Sequence, residues 1–331
     1  MHLEIRVPDW ARFVYSDFTD MHRAPHPVDA RKVARFVLDV PDDGRFEYAF
    51  VDAHGRVRAD PERGATGSNP WYPEVTEVRG PEYRAHPLAD PPAADPAWTV
   101  RRHKVASRAF GADRRVVVAS PADAHGPLPA VVLHDGVAYQ RLARAADVLA
   151  ALVRRGRARP AHLVFLEPAD RLTEYAWDER HVRFVHDEVR PFVAGHHAVG
   201  GGWWAMGASL GGLAAATLAL HAPADWAGVV AQGGAFLGAP DERRHHGTDR
   251  SWLAERLEAG VGAHLRWVLD VGTLDWLAPV NRRVRDALLA HGAEAAYAER
   301  PAGHNWGCWR DGLGEALAAA LRPRDRGPDP R

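Results

Sequence analysis

Residues 202–216 read GWWAMGASLGGLAAA, and within them Gly207, Ser209 and Gly211 spell G-x-S-x-G. A serine so placed is either lifted on a strained turn for attack or simply part of a small-residue turn between a strand and a helix. The first reading requires strand, motif and helix in that order, with glycines beside the serine because a Cβ there would strike the neighbouring backbone. The flanks supply this order: WWAMGA is β-like, and LGGLAAATLALHAP is rich in Ala and Leu at helical period until Pro223 stops it. A phosphate-binding turn would continue as G-x-x-x-x-G-K-[ST] or G-x-G-x-x-G, and neither follows. Ser209 is therefore the candidate nucleophile, standing where a strand hands over to a helix.

Working outward, the pattern from residue 98 onward is strand-helix alternation, which implies parallel pairing. The strand candidates are TVRRHKVAS, RRVVVAS, PAVVLHD, HLVFLEP, WWAMGA, GVVAQG, LRWVLDVG and EAAYAER. Helical runs separate the last six, among them 139–156, 210–221, 279–292 and 306–322. In the first of these Leu142, Ala145, Val148, Leu149 and Leu152 fall on one stripe that would cover a sheet. The fold class expected is α/β, a doubly wound and mostly parallel eight-stranded sheet. Ahead of it, the short β-type runs 35–40, 45–52 and 56–60 suggest a small β-sandwich. The Pro-, Asp- and Ala-rich stretch HPLADPPAADPAW (86–98) can neither hold a helix nor pair in a sheet. The organisation expected is thus a sandwich domain over 1–88, a linker over 89–97, a catalytic domain over 98–322 and a disordered tail over 323–331.

A serine hydroxyl is a weak nucleophile and needs a base that is itself oriented by a carboxylate, in the chain order Ser, acid, His on such a sheet. WVLDVGTLDWLAP ends a strand and opens a loop with Asp275, and RPAGHNWGCW follows the last strand with His304. Both fall at the C-terminal ends of strands, where an open α/β sheet places its site. Asp270 lies inside an apolar strand, so Asp275 is preferred; Asp241 and Glu242 follow the preceding strand, a less usual location for the acid. His221 and His291 read as helix ends that interact with the dipole. The oxyanion needs two N–H donors, one from Leu210 and one from the loop in VVLHDGVAYQRL, where Val137 (or Gly136) is the candidate.

Composition narrows the remaining classes. With 46% hydrophobic and 26% charged residues the chain of 331 can bury a sizeable core, and no apolar run reaches the ~18 residues that span a bilayer. The N-terminus carries charges throughout and shows no secretory signal, which makes the cytoplasm the expected compartment. A net charge of −1 gives no global field for nucleic acid or anionic membrane. The single cysteine, Cys308, excludes internal disulfides. The 19 histidines include the neighbours His196-His197 and His245-His246 and the i, i+4 pair His22 and His26, but no acid or cysteine completes a ligand set near them, so no metal is expected. Only Lys32 and Lys104 are lysines, which weakens any argument from one basic residue being arginine.

Several stretches carry a family resemblance. VYSDFTDMHRAPHPVD followed by FVLDVPDDGRFEYAFVDAHGRVRADP resembles the immunoglobulin-like N-terminal domains attached to glycogen-branching enzymes and enterochelin-type esterases. LHDGVAY, LVFLEPADRLTEY, GASLGGLAA, VGTLD and GHNWGCWRDGL together resemble the Putative esterase family of the α/β-hydrolases, nearest to the enterochelin (ferric siderophore) esterases, from about residue 98 to 322. The resemblance implies a metal-independent serine esterase with Ser209, Asp275 and His304 as triad, the amides of Leu210 and Val137 as oxyanion hole, and no cofactor. For an anionic siderophore it points to Arg171 and Arg310 as basic contacts, with Trp203, Trp276, Trp306 and Trp309 as stacking surfaces. His134, where an apolar residue is expected, departs from the pattern. The family also holds feruloyl and acetyl-xylan esterases and mycolyltransferases, so a polysaccharide-associated acyl esterase, a glycan-binding role for the sandwich, and acyl transfer stand as alternatives. The partner expected is a small-molecule ester, an iron-loaded siderophore among the candidates, with neither nucleic acid nor membrane; homodimerisation is left open.

Overall fold

The computed structural model describes residues 2–19, 26–28, 35–67, 69–70, 72–93, 98–123, 125–241 and 248–323. Seven strands come first: β1 (His2–Arg6), β2 (Ala11–Ser16), β3 (His26–Pro27), β4 (Arg35–Asp39), β5 (Arg45–Asp52), β6 (Val57–Arg58) and β7 (Thr76–Arg79). β1 and β4 pair antiparallel, and β3, β2, β5 and β6 form a second antiparallel sheet in that order, with β7 on β5. Ile5, Val14, Phe46, Tyr48 and Phe50 share one buried core between them. β1, β2, β3 and β7 lie outside the runs the sequence nominates.

Eight more strands follow: β8 (Trp98–Ser107), β9 (Ala112–Pro121), β10 (Leu128–Leu133), β11 (His162–Leu166), β12 (Val199–Ala208), β13 (Gly228–Gln232), β14 (Arg266–Gly272) and β15 (Ala295–Arg300). Each contains or overlaps its sequence candidate. They make one sheet in the order β15-β14-β13-β12-β10-β11-β9-β8, parallel from β15 through β11, with β9 antiparallel to both β11 and β8. The apolar runs are continuous because both faces are covered. Side chains alternate between the faces: Val229, Ala231, Trp267 and Leu269 enter one core, Val230 and Val268 the other.

The covering helices are α1 (Ala145–Arg154), α2 (Arg171–Glu174), α3 (Glu179–Arg183), α4 (Arg190–His196), α5 (Leu210–His221), α6 (Trp252–Glu258), α7 (Ala278–Ala290) and α8 (Trp306–Ala320). α1 and α8 bury their apolar faces in one core, and α5, α6 and α7 in the other. The helix expected over 139–156 starts only at Ala145. Residues 138–142 form a wider turn, and Arg144, at φ +51° with its guanidinium on Asp147 (2.8 Å) and Asp90 (2.9 Å), breaks the run.

Residues 86–93 are irregular yet packed: Leu88 is buried beside α8, and the Ala89 carbonyl accepts from Arg310 at 2.8 Å. Residues 94–97 of the expected linker, and 324–331 of the expected tail, lie outside the described residues. No helix among the described residues is long and apolar enough to cross a membrane.

Candidate active site

Ser209 joins β12 to α5 at φ +55°, ψ −121°, a backbone region that costs a non-glycine residue about 1–3 kcal/mol. The surrounding glycines make that turn sterically feasible. A Cβ on Gly207 would stand 2.2 Å from the Gly211 carbonyl, and one on Gly211 would press on Asp135 Oδ2 and His134 Cβ at 3.1 Å. The Ser209 amide donates to the Gln232 carbonyl (2.9 Å), and its own carbonyl accepts from Ala235 (3.0 Å), so the elbow is pinned to the adjacent strand end.

His304 meets the serine from the loop after β15. Its Nε2 lies 2.9 Å from Ser209 Oγ, and its Nδ1 lies 2.7 Å from Asp275 Oδ2. A carboxylate accepts only, so Nδ1 carries the proton and Nε2 is left free to accept from the hydroxyl. Asp275 is buried, and its other oxygen accepts the Leu277 amide at 2.8 Å, which fixes the carboxylate plane. The Trp309 ring stands edge-on to the imidazole at 5.1 Å, and the Trp276 ring lies 6.0 Å from it. The rival acids are engaged elsewhere: Asp270 with Arg300 (3.0 Å) and Gln232 (3.2 Å), Asp241 with Arg250 (3.0 Å). His291 Nε2 bonds the Glu258 carbonyl, and His221 packs against His186. Glu242, His22, His245 and His246 lie outside the described residues.

The Leu210 amide opens α5 beside the serine, where the helix N-terminus favours negative charge. The Val137 amide donates to Glu167 Oε2 at 3.0 Å. Burial beside Asp135 raises the Glu167 carboxyl above its ordinary range, although the Val137 amide and Arg171 pull it down.

A family model and solved structures bear on this arrangement. The model described as "Putative esterase" matches residues 107–320. The chain belongs to the Putative esterase family. It is a carboxylic ester hydrolase. No curated protein matches this esterase. Among solved structures, enterochelin esterase from Shigella flexneri is 22% identical, covers 96% of this chain and 91% of its own, and has a TM-score of 0.73. Ferric enterobactin esterase from Salmonella typhimurium is 21% identical over 96% of this chain and 92% of its own, at TM-score 0.72. A ferulic acid esterase is similar over 68% of this chain and 98% of its own, at 17% identity and TM-score 0.54. At these identities the likeness shows the fold.

The esterase uses the nominated substrate contacts in other ways. Arg171 forms two parallel bonds to Asp135 (2.8 Å each) and reaches the Ala208 carbonyl at 3.3 Å, so it braces the residue before Ser209. Trp306 is fully buried against Tyr139 and Trp309, a core position closed to substrate. Arg310 is held by Ala89. Trp306 and Arg310 pack inward because α8 begins at Trp306, directly after the loop that carries His304.

His134, the departure from the family pattern, is buried on the Tyr175 edge, with Nδ1 on the Met206 carbonyl (2.9 Å) and Nε2 on His181 Nε2 (3.0 Å). A carbonyl needs a donor, so His134 carries its proton on Nδ1 and accepts from His181. Burial lowers its pKa to about 4.

Two further residues went unnominated. Gly233, at φ +53°, faces the imidazole so closely that a Cβ would stand 3.0 Å from Asp275 Oδ2; the Gly-Gly after β13 was its only trace in the sequence. Gln232 ties Tyr139 Oη (2.9 Å) to the Trp309 carbonyl (2.9 Å) beneath the elbow, and a lone buried glutamine leaves no sequence signal.

Proposed function

We propose that this esterase hydrolyses its substrate through an acyl-enzyme on Ser209, with His304 as general base and then acid and Asp275 as the group that holds the imidazole. The carrying observation is the unbroken line from Asp275 Oδ2 through His304 to Ser209 Oγ, at 2.7 and 2.9 Å. Ser209 Oγ gives its proton to Nε2 as it bonds the ester carbon. The imidazolium is stabilised by Asp275 and passes the proton to the leaving alkoxide. Water, deprotonated by the same nitrogen, then releases the acid. The oxyanion is received by the Leu210 amide at the start of α5 and by the Val137 amide once Glu167 releases it.

For substrate we propose an ester of the siderophore class, a lactone that joins N-catecholoyl-serine units. Supporting this, the likeness to the enterochelin esterases runs over 96% of the chain and so includes the N-terminal strands, whereas the ferulic acid esterase matches 68%. A second reading, an uncharged acyl ester, is favoured by the engagement of Arg171 and Arg310 and by the Glu167 carboxylate on the oxyanion loop.

Ser209→Ala is expected to abolish turnover of p-nitrophenyl esters and labelling by a fluorophosphonate. Folded wild-type protein that neither labels nor cleaves any short acyl ester would overturn the reading. A cyclic catecholoyl-serine trilactone hydrolysed at least about a hundredfold better in kcat/KM than methyl ferulate or p-nitrophenyl acetate supports the siderophore class; the reverse order supports the uncharged ester.

A further inference from the structure

The loop that carries His304 is held by the N-terminal strands as well as by its own sheet. Residues 301–303 run alongside the start of β5: the Arg45 amide donates to the Pro301 carbonyl (2.9 Å), and the Gly303 amide donates to the Arg45 carbonyl (3.0 Å). The His304 amide itself donates to the carbonyl of Asp17, the residue after β2, at 3.3 Å. The Asp17 carboxylate is buried, and its Oδ2 accepts from the Glu47 amide at 2.8 Å and from Asn305 Nδ2 at 2.6 Å. Asn305 uses its remaining oxygen to cap α8 through the Cys308 amide at 2.8 Å. The fit leaves no room: a Cβ on Gly303 would stand 2.2 Å from Asp17 Cγ, and one on Gly307 would stand 1.8 Å from the Arg45 guanidinium.

The Asp17 carboxylate is an expensive way to fill space. Its Oδ1 has no hydrogen-bond partner among the described residues, and Glu47 and Asp275 are the other carboxylates near it. His304 must serve two hydrogen bonds at once, and reactive groups misplaced by about 1 Å lose on the order of a hundredfold in rate. Asp17 touches the residues on which that placement depends, through the amide of His304 and the side chain of Asn305.

We propose that the N-terminal β unit belongs to the catalytic apparatus and that Asp17 is its positioning residue, fixing His304 through Asn305 and the His304 amide. This rests on the reading of His304 as the base.

The test uses full-length protein. Asp17→Ala is expected to lower kcat about thirtyfold with KM within about twofold of wild type. Asp17→Asn, which keeps an oxygen for Glu47 and Asn305, recovers most of that loss. Asn305→Asp retains the helix cap but sets carboxylate against carboxylate; a proton shared by the two restores the bond, so its activity relative to wild type rises as pH falls. Where Asp17→Ala does not fold, the other two variants carry the test. Wild-type kcat in folded Asp17→Ala, a loss that Asn leaves unrepaired, or a wild-type pH profile in Asn305→Asp overturns the proposal. His304→Ala separates the two ideas. If it is inactive while Asp17→Ala is normal, only the positioning role fails; if it stays active, the base assignment fails.

Discussion

Glu167 Oε2 accepts the Val137 amide at 3.0 Å, so a carboxylate occupies the strand-exit donor proposed for the oxyanion. Reaction through Val137 then requires one hydrogen bond to be given up, a net cost of about 1 kcal/mol. Glu167→Ala is expected to raise kcat for p-nitrophenyl acetate about fivefold. The gain should be larger for the p-nitrophenyl ester of succinic acid, whose acyl group is anionic and is repelled by the wild-type carboxylate. Steady-state kinetics on the two esters checks both parts.

Arg171 and Asp135 form a buried ion pair next to the elbow, with the Arg171 side chain 21% and the Asp135 side chain 2% exposed. Removing one partner strands the other's charge, which typically costs about 3–5 kcal/mol. Arg171→Leu should lower the denaturation free energy by about 3 kcal/mol, and Arg171→Lys should recover little because an ammonium cannot make both bonds. Urea unfolding of the three proteins measures it.

Gly233 has a methyl-sized exclusion zone against Asp275 Oδ2 and Trp309 Nε1, both at 3.0 Å, and a left-handed φ of +53°. Gly233→Ala is expected to cost about 1–2 kcal/mol of stability from the backbone. On the proposed mechanism it should also lower kcat at least about tenfold by displacing Asp275 and His304. The rate of fluorophosphonate labelling, compared with the unfolding midpoint, distinguishes the two effects.

Stability should fall with acid because of His134. Its folded pKa of about 4 lies below the ~6.5 of an unfolded histidine. Above that upper value both states are neutral and the contribution is complete. As pH drops from ~6.5 toward 4 the unfolded chain takes a proton that the folded one refuses, and on the order of 3 kcal/mol is lost. His134→Leu should flatten the slope in this window, leaving the part that His103, His162, His181, His186 and His197, also lowered by burial, contribute. Unfolding free energies measured across the window provide the check.

The main sheet was legible because its strands are apolar runs of the right length, separated by helical stretches, and because Ser209, Asp275 and His304 each follow a strand in the required order. The first strands were harder. β1 has only Leu3 and Ile5 to bury, and β2 alternates imperfectly, so neither stands out from a charged terminus. The engagement of Arg171 by Asp135 is hidden because an arginine suits an anion and an ion pair equally, and its partner lies 36 residues away. Trp306 suits a stacking surface by type, yet the chain direction into α8 buries it. The capture of the Val137 amide by Glu167 depends on two strand ends meeting, which neither segment announces alone.

The bond between Asp17 and Asn305 spans 288 positions of the chain. Synthesis runs from the N-terminal side, so β2 and β5 leave the ribosome well before the loop after β15. On the proposed reading of His304 as base, nascent lengths that stop short of the loop after β15 carry Ser209 without it. Hydrolytic competence is in this sense acquired late, when two segments far apart in the chain meet.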